Sequence, residues 1–276
     1  MDSGFGSDLK ATLGLLPGEP ALVFNTHWHS DHVGGNAGLA ERFGVPIAAS
    51  AAEGSRVNAG DPEAFGSDWL DQPVDPYRVD RLVEPGELLE TGAVSLRVVP
   101  AAGHSLGQVA LFEERSRVLI AGDAILAADV PWINPFLDGA EALETTIATV
   151  ERIGLLGARL AVAGHGQVIE DVASCVKRTL ERLRLWRQDH ARMAFHGSRR
   201  IFGFALMIHG GFARSGLLPY LIARRWVHDF AHLAGMAPEE FAEQLVIDLT
   251  GSGAARWDHG RLVSTVPHSR VLAEDG

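Results

Sequence analysis

The chain has 276 residues, 46% of them hydrophobic, which is enough to bury a substantial core and excludes a disordered protein. Its single cysteine, Cys175, excludes an intramolecular disulfide, and the sequence shows no apolar run of membrane-helix length and no signal-peptide pattern. We therefore expect a cytoplasmic protein that does not interact with membranes.

The formal net charge of −11 is unevenly distributed. Residues 171–276 hold 14 Lys and Arg against 11 Asp and Glu, a balance of +3, which leaves 10 against 24, or −14, for residues 1–170. Such a difference indicates that the two parts do different work. We predict one domain at residues 1–170 and a second, helical domain at residues 171–276.

Short apolar segments recur along the first part of the chain, and a histidine or an aspartate closely follows each. Segments of four to seven residues rich in Val, Leu and Ile, bounded by Gly or Pro, are typical of buried strands. The predicted strands are residues 21–24 before His27, 94–99 before His104, 117–122 before Asp123 and 158–164 before His165.

Helical patterns lie between some of these strands. Residues 36–43 follow the first histidines, and residues 138–153 begin with Asp138 three positions before Glu141, the spacing of a capping box. Strands alternating with helices predict a layered α/β fold. In such folds ligands gather beyond the C-terminal ends of strands, so we expect the histidines and aspartates to meet at one edge.

Residues 56–84 form a long segment rich in Pro and Asp, with aromatic side chains at Phe65, Trp69 and Tyr77. A long loop beside a binding site often serves as a substrate lid, and an ordinary surface connection has the same composition. Trp69 and Tyr77 are the candidate substrate contacts of this segment.

The C-terminal part is helical. Residues 172–195 carry Lys and Arg around an apolar stripe, which fits a solvated helix face or a clamp for a coenzyme A conjugate, a glutathione conjugate or a nucleic-acid phosphate. The following residues predict two helices and a short hairpin, with Pro238 at the start of the second helix. The acidic helix at 239–249 argues against nucleic-acid binding, so we expect this part to cover a site or to form a homodimer.

Seven side chains of metal-ligand type stand at or just after the predicted strand ends: His27, His29, Asp31, His32, His104, Asp123 and His165. Neutral imidazole and carboxylate suit Zn²⁺, Mn²⁺ and Fe²⁺, and seven ligands exceed what one tetrahedral site with an open position requires. The number suits two metals that share a carboxylate. Such a pair can deprotonate water near neutral pH and polarise a carbonyl or phosphoryl oxygen.

The segments DSG at Asp2, THWHSDHVGGN, AAGHSLGQ, AGDAIL and AGHG resemble the ordered motifs of the metallo-β-lactamase fold superfamily over residues 1 to about 170. The resemblance implies an α/β fold, the four-layer αββα sandwich, with catalysis in this domain. The helices and hairpin that follow resemble the degenerate winged-helix appendage of some hydrolases of the superfamily.

The resemblance also implies a role for each residue of the set. The ligands divide into a first triad, a second triad and a bridging carboxylate: His27, His29 and His104; Asp31, His32 and His165; and Asp123. Two Zn²⁺ ions are implied, with Fe or Mn as alternatives. Asp2 would orient a ligand histidine from behind.

Two features separate the branches of the superfamily. The aspartate at position 123 resembles the glyoxalase II, lactonase and phosphodiesterase branches more than true β-lactamases, and GGN after the histidines resembles glyoxalase II-type thioester hydrolases. Only residues 124–164 separate Asp123 from His165, which leaves no room for the nuclease domain that RNA-cleaving relatives insert there.

The start of the chain departs from the family pattern. In the family several N-terminal strands precede the aspartate motif, whereas here the motif begins at Asp2. We expect a longer native polypeptide whose added residues supply those strands and cover an otherwise unpaired sheet edge.

Four functions fit these residues. The leading hypothesis is a dinuclear metal hydrolase of a small carbonyl ester, a thioester or a lactone, in which Asp31 or a metal-bound water relays a proton to the leaving group. The alternatives are a phosphodiesterase at the same metals, which the Arg-rich helix favours, and an iron-dependent sulfur oxygenase. A non-catalytic sensor is disfavoured, because a protein that only binds has no need of an open metal site.

Overall fold

The structure is a computed structural model that describes residues 1–266. Two compact units make up the chain. Within the described residues, the first comprises Met1–Phe65 and Pro73–Leu185, and the second comprises Gly66–Gln72 and residues 186–266. The predicted boundary at residue 170 lies before this division, which falls inside a helix.

Among the described residues, the strands of the first unit, numbered in chain order, are β1 (Val23–Phe24), β2 (Ile47–Ser50), β3 (Arg81–Val83), β4 (Leu88–Glu90), β5 (Ser95–Pro100), β6 (Val109–Glu113), β7 (Val118–Gly122) and β8 (Leu160–Ala163). The first sheet has the order β1-β2-β3 with parallel neighbours. The second has the order β4-β5-β6-β7-β8 and is antiparallel except between β7 and β8. The additional N-terminal strands stay a prediction.

The helices in the described part of the chain are α1 (Leu9–Leu15), α2 (Ser30–Val33), α3 (Asn36–Phe43), α4 (Ala51–Asn58), α5 (Ser67–Leu70), α6 (Ala142–Leu156), α7 (Val172–Gln188), α8 (His190–Ile208), α9 (Arg214–Ile222), α10 (Arg225–Ala234) and α11 (Pro238–Gly251). Within residues 1–266, none of them is both long enough and apolar enough to cross a bilayer.

Apolar cores lie on both faces of the first sheet. The core between the two sheets contains Phe24, Ala48, Val83, Leu89, Val98, Val109 and Leu111. The core on the outer face contains Val23, Leu39, Val45, Ile47, Ala49 and Val79, with side chains of α1, α3 and α4 packed against it. Because alternate strand residues point to opposite faces, one short apolar strand serves both cores. The predicted layered α/β fold is confirmed.

The predicted strands are all present, each within one or two residues of its predicted ends, and the helix predicted at 36–43 is α3. The predicted capping box at Asp138 is wrong. Helix α6 begins at Ala142 with Glu141 at its N-cap, because Gly139 takes a left-handed backbone (φ 93°) between Asp138 and the helix. Burial raises the pKa of the Asp138 carboxyl well above its usual value, and the backbone N–H of Leu106 opposes this shift.

Two predicted C-terminal helices are each broken in two. The helix predicted at 172–195 ends at Gln188, because Asp189 leaves helical backbone (φ −142°, ψ 87°) and its side chain accepts a hydrogen bond from the N–H of Arg192 as an N-cap. The first of the two helices predicted after residue 195 is present as two shorter helices, α9 and α10. They are separated at Arg224, whose backbone is extended.

The second unit also holds an antiparallel sheet with the order β10-β11-β9, formed by β9 (Phe212–Ala213), β10 (Ala255–Asp258) and β11 (Arg261–Ser264). The strands β10 and β11 are the predicted hairpin. Helix α8 packs against α10, where Gly197 lets the Phe230 ring approach. The winged-helix likeness of this unit stays a prediction.

Candidate metal centre

The predicted ligands meet at the C-terminal ends of four strands. Those between His27 and His32 follow β1, His104 follows β5, Asp123 directly follows β7, and His165 follows β8. Their ligand atoms lie within 4.8 Å of one another in three groups, namely the first triad, the second triad, and a set of His27, His32 and Asp123. The fold therefore brings together all seven residues, as the strand pattern predicts.

The two glycines after the histidine cluster allow a close backbone approach. A Cβ at Gly34 would lie 2.4 Å from the backbone N of Gly6, and one at Gly35 would lie 2.5 Å from the backbone O of Ser3. The N–H of Ser3 donates to the carbonyl of His32 at 2.7 Å. The N-terminal segment that carries Asp2 thus packs directly on the histidine loop.

Asp123 lies between the two triads. Its Oδ2 is 3.7 Å from Nε2 of His104 in the first triad and 3.4 Å from Nε2 of His165 in the second. Its Oδ1 is 3.7 Å from Nε2 of His32. A Cβ at Gly164 would lie 2.3 Å from that Oδ1, so a side chain at position 164 would displace the carboxylate. This is the placement expected of a ligand shared by two metals.

Two buried atoms of the cluster test whether metals fit. Among the described residues, Nε2 of His27 and Oδ1 of Asp123 are buried without a hydrogen-bond partner. An unsatisfied buried polar group costs about 1–3 kcal/mol, so native structures rarely leave one. A divalent cation would take a lone pair from each, and the imidazole and carboxylate donors around them suit zinc-type ions. The residues present fit the metals.

The first triad is electrically neutral. Burial lowers the pKa of His27 and His29 well below their usual value, and neighbouring histidines act in the same direction. Burial also lowers the pKa of His104, against the attraction of the Asp123 carboxylate. Metal ligation requires neutral imidazole, so these three side chains are already in the binding form at neutral pH.

The side chains of the second triad are held together by ion pairs between histidines and carboxylates. Burial alone would lower the pKa of His32, but neighbouring carboxylates, chiefly Asp31 and Asp123, raise it to about 9. Hydrogen bonds to Asp123 and Asp31 raise the pKa of His165 to about 11. Burial alone would raise the pKa of the two carboxylates, but the neighbouring histidines outweigh it. They lower the pKa of Asp31 and bring that of Asp123 to about 2. A metal entering here must displace protons.

Asp2 lies behind His32. Its Oδ2 accepts a hydrogen bond from Nδ1 of His32 at 3.0 Å. Thr26 holds the carboxylate, donating from its N–H to Oδ1 at 2.8 Å and from its hydroxyl to Oδ2 at 2.9 Å. A proton on Nδ1 leaves Nε2 of His32 free for a metal, so the contact sets the tautomer. The predicted role of Asp2 fits this geometry.

Replacing Asp2 with asparagine should weaken metal binding by about 10- to 100-fold, the usual cost of losing the partner behind a ligand histidine. Competition with a chromophoric chelator measures the affinity of the full chain. Asp80→Asn is the matched control, because Asp80 accepts one backbone hydrogen bond, from Ile47 at 3.0 Å, outside the cluster. Equal affinities of the wild type and D2N would refute this role.

Trp132 is a neighbour of the cluster that the sequence analysis missed. Its backbone carbonyl accepts a hydrogen bond from Nδ1 of His104 at 2.8 Å, which leaves Nε2 of His104 for a metal. Its indole stacks on the His29 ring, with centroids 5.1 Å apart and planes 19° apart. Trp132 lies between Pro131 and Pro135, and no motif in the sequence connects this tryptophan with the distant histidines.

The two aromatic residues predicted as substrate contacts lie in different units. Trp69 belongs to the second unit, where it is 3% exposed and its indole N–H donates to Oδ2 of Asp229 at 2.7 Å. Tyr77 belongs to the first unit, where its half-buried ring lies 5.6 Å from that of Phe65. Packing accounts for the position of Trp69, and substrate contact by either residue stays a prediction.

Two arginines of α7 are paired within the first unit. Arg182 lies 3.6 Å from Asp129, and Arg184 lies 3.0 Å from Glu151. Exposed pairs of this kind are typical of a solvated helix face. The alternative, an anion clamp on this helix, stays a prediction.

Comparisons with known proteins agree with this arrangement. A family model described as the metallo-beta-lactamase superfamily matches residues 1–165. A hydroxyacylglutathione hydrolase of Hyphomonas neptunium is 30% identical over 105 residues, which cover 38% of this chain and 34% of the relative. A probable metallo-hydrolase of Bacillus subtilis, YybB, is 26% identical over 163 residues, 59% of this chain and 72% of the relative.

A third relative, an atrochrysone carboxyl ACP thioesterase of Aspergillus fumigatus, is 25% identical over 162 residues, 59% of this chain and 43% of the relative. The chain spans about a third of the length of the hydroxyacylglutathione hydrolase that it matches.

Solved structures share the fold along most of the chain. A metallo-beta-lactamase family protein of Thermus thermophilus has a TM-score of 0.57 at 25% identity, covering 95% of this chain and 88% of that one. A beta-lactamase domain protein of Burkholderia ambifaria has a TM-score of 0.55 at 23% identity, covering 95% and 81%. Both likenesses extend beyond residue 165 into the C-terminal part.

Proposed function

This chain belongs to the metallo-β-lactamase superfamily, and we propose that it is a dinuclear metal-dependent hydrolase that cleaves a small carbonyl ester, either a thioester or a lactone. The position of Asp123 between two complete triads carries the proposal, because a shared carboxylate is what two cooperating metals need. The relatives named hydroxyacylglutathione hydrolase and ACP thioesterase support the thioester.

The first and second triads would hold one metal each, with Asp123 shared. Zn²⁺ suits these donors best, and Fe and Mn also suit them. When bound, the two ions supply an activated water and polarise a carbonyl oxygen. The neutral histidines of the first triad bind without losing protons, whereas the second triad exchanges its ion-pair protons for the metal.

The substrate would approach from the side of Asp31 and His165. Their side chains are 29% and 51% exposed, whereas that of Asp123 is 8% exposed. The Oδ2 of Asp31 lies 3.1 Å from Nε2 of His165, so an ionised carboxylate stands at the open side of the site. We assign to Asp31 the relay of a proton, which its ionised carboxylate takes from the attacking water and passes to the leaving group.

The test measures metal content by mass spectrometry and then hydrolysis by the same purified full chain. The substrates are an acyl-glutathione thioester, an acyl-homoserine lactone and bis-p-nitrophenyl phosphate. We expect about two equivalents of zinc and turnover of the thioester or the lactone. His29→Ala, with its fold checked by circular dichroism, is the inactive control.

Other outcomes would replace this proposal. Turnover of the phosphodiester alone would make the protein a phosphodiesterase at the same metals. About one equivalent of iron without any hydrolysis would favour an oxygenase acting on a sulfur substrate. Unchanged cellular function of His29→Ala would favour a sensor.

Two expectations accompany the proposal. A cytoplasmic location rests on the single cysteine of the sequence, which fits a reducing compartment. A homodimer formed through the C-terminal part would appear as a doubled mass in light scattering of the full chain.

A further inference from the structure

Glu53 is a buried carboxylate that the proposed chemistry does not use. It lies in the first turn of α4, is 2% exposed, and its backbone N–H donates to the hydroxyl of the N-cap residue Ser50 at 3.3 Å. Burial raises the pKa of Glu53 to about 7 against the hydrogen bonds that it accepts. A carboxyl group held in such a place at an energetic cost calls for a reason.

The carboxylate of Glu53 binds the loop behind His104. The hydroxyl of Ser105 and the N–H of Gly107 both donate to its Oε1, the second at 3.0 Å. The loop lies directly on the helix end, since a Cβ at Gly107 would be 2.8 Å from the Cβ of Ala52 and 2.9 Å from Cγ of Glu53. A larger residue at position 107 would push the loop away.

The same carboxylate also interacts with the first histidine loop. The backbone N–H of Trp28 stabilises the ionised form of Glu53 and so opposes the rise in its pKa, and Trp28 stands between His27 and His29. In a Ser-x-x-Glu capping box the glutamate side chain reaches back to the N-cap residue. Here it accepts hydrogen bonds from the loop of His104 and is stabilised by a backbone N–H of the loop of His27 and His29, more than 70 residues away in sequence.

We propose that Glu53 is a positioning residue of the metal centre, whose single buried carboxylate ties the loop of His27 and His29 to the loop of His104 and so sets the geometry of the first triad. This inference rests on the proposed metal-dependent function. Two of the triad's histidines flank Trp28, and the third directly precedes Ser105, so removal of the carboxylate removes its interactions with both loops at once. A donor left unsatisfied after such a removal is itself destabilising, which favours movement of the loops.

The test uses the metal-stripped full chain with the variants Glu53→Ala and Glu53→Gln, titrated with Co²⁺ and followed by its visible d–d absorption. For Glu53→Ala we expect one of two equivalents to bind about 10- to 100-fold more weakly, with a changed spectrum for that equivalent. Glu53→Gln keeps an oxygen that can accept some of the hydrogen bonds, so it should fall between Glu53→Ala and the wild type.

Asn58→Ala is the matched control on the same helix. Asn58 exchanges two hydrogen bonds with the backbone of Val79, at 2.8 and 2.9 Å, and lies away from the histidine loops. This variant should lose stability in urea unfolding and keep the affinity and spectrum of both cobalt equivalents. If one cobalt equivalent also binds more weakly to Asn58→Ala, the effect of the Glu53 variants is a general loss of stability, and the proposal is overturned.

Unchanged affinity and spectrum in Glu53→Ala would overturn it directly. If Glu53→Ala does not fold, Glu53→Gln decides, because a wild-type cobalt titration in that isosteric variant would also refute positioning. Cobalt binding is measured without substrate. A wild type that binds two equivalents but hydrolyses nothing in the panel would therefore refute the proposed function alone.

Discussion

Replacing Asp123 with asparagine is expected to lower hydrolysis on the order of a thousandfold and to reduce bound zinc from two equivalents toward one. Loss of a partner behind a ligand costs about 10- to 100-fold, and loss of a ligand shared by both sites must cost more. The carboxylate, whose pKa lies at about 2, carries a full negative charge between the triads. An amide has neither that charge nor two equivalent oxygens.

Zinc content and initial rates on the best substrate of the panel measure both effects. Asp171→Asn is the control, because Asp171 accepts one backbone hydrogen bond, from Ser174 at 2.9 Å, at the start of α7. Two tightly bound zinc equivalents in D123N would show that Asp123 does not bridge. Full activity with one equivalent would show that hydrolysis needs only one metal.

The convergence of the seven candidate ligands could be predicted from sequence because each member follows a strand. The strands of a buried parallel or mixed sheet appear in the sequence as short apolar segments. The loops that follow strands of the same direction lie together at the edge of the sheet where those strands end. His165 and His104 are 61 positions apart, yet their loops follow strands of one sheet. The same rule placed Asp123 and the residues from His27 to His32 beside them.

The residues that hold the ligands could not be predicted in this way. Trp132 acts through a backbone carbonyl, which any residue carries, and Glu53 stands in a pattern that local rules assign to helix capping. The reverse error occurred at Asp138, where a capping spacing was present and the chain turned at Gly139 instead. Local sequence patterns predict backbone conformation. The contacts that hold the candidate ligands in place depend instead on which loops the fold brings together.

Removing the metals with a chelator is expected to reduce hydrolysis by at least about a hundredfold, since each metal contributes several kcal/mol to the transition state and about 1.4 kcal/mol corresponds to a factor of ten. Adding zinc to the stripped protein should restore the rate. Hydrolysis that survives complete removal of metal, verified by mass spectrometry, would contradict a metal-dependent mechanism.

The stripped protein should also lose stability at alkaline pH, and the zinc-loaded protein should not. The folded-state pKa of His32 is raised from 6.5 to about 9, so its stabilisation is complete below about pH 6.5 and is lost as the pH rises through about 9. His165, with a pKa of about 11, acts in the same direction at higher pH. Zinc replaces these protons, so the loaded protein has none to lose there.

The loss of stability that we expect at acidic pH has the opposite origin. The lowered pKa values of His27 and His29 make their neutral forms part of the folded state, so their contribution is complete above about pH 6.5 and falls as the pH is lowered. Urea unfolding with and without zinc, from about pH 5 to pH 10, measures both limbs. Equal dependence of stability on alkaline pH in the two forms would mean that zinc leaves the proton on Nε2 of His32, and a histidine protonated at Nε2 as well as Nδ1 cannot be a ligand.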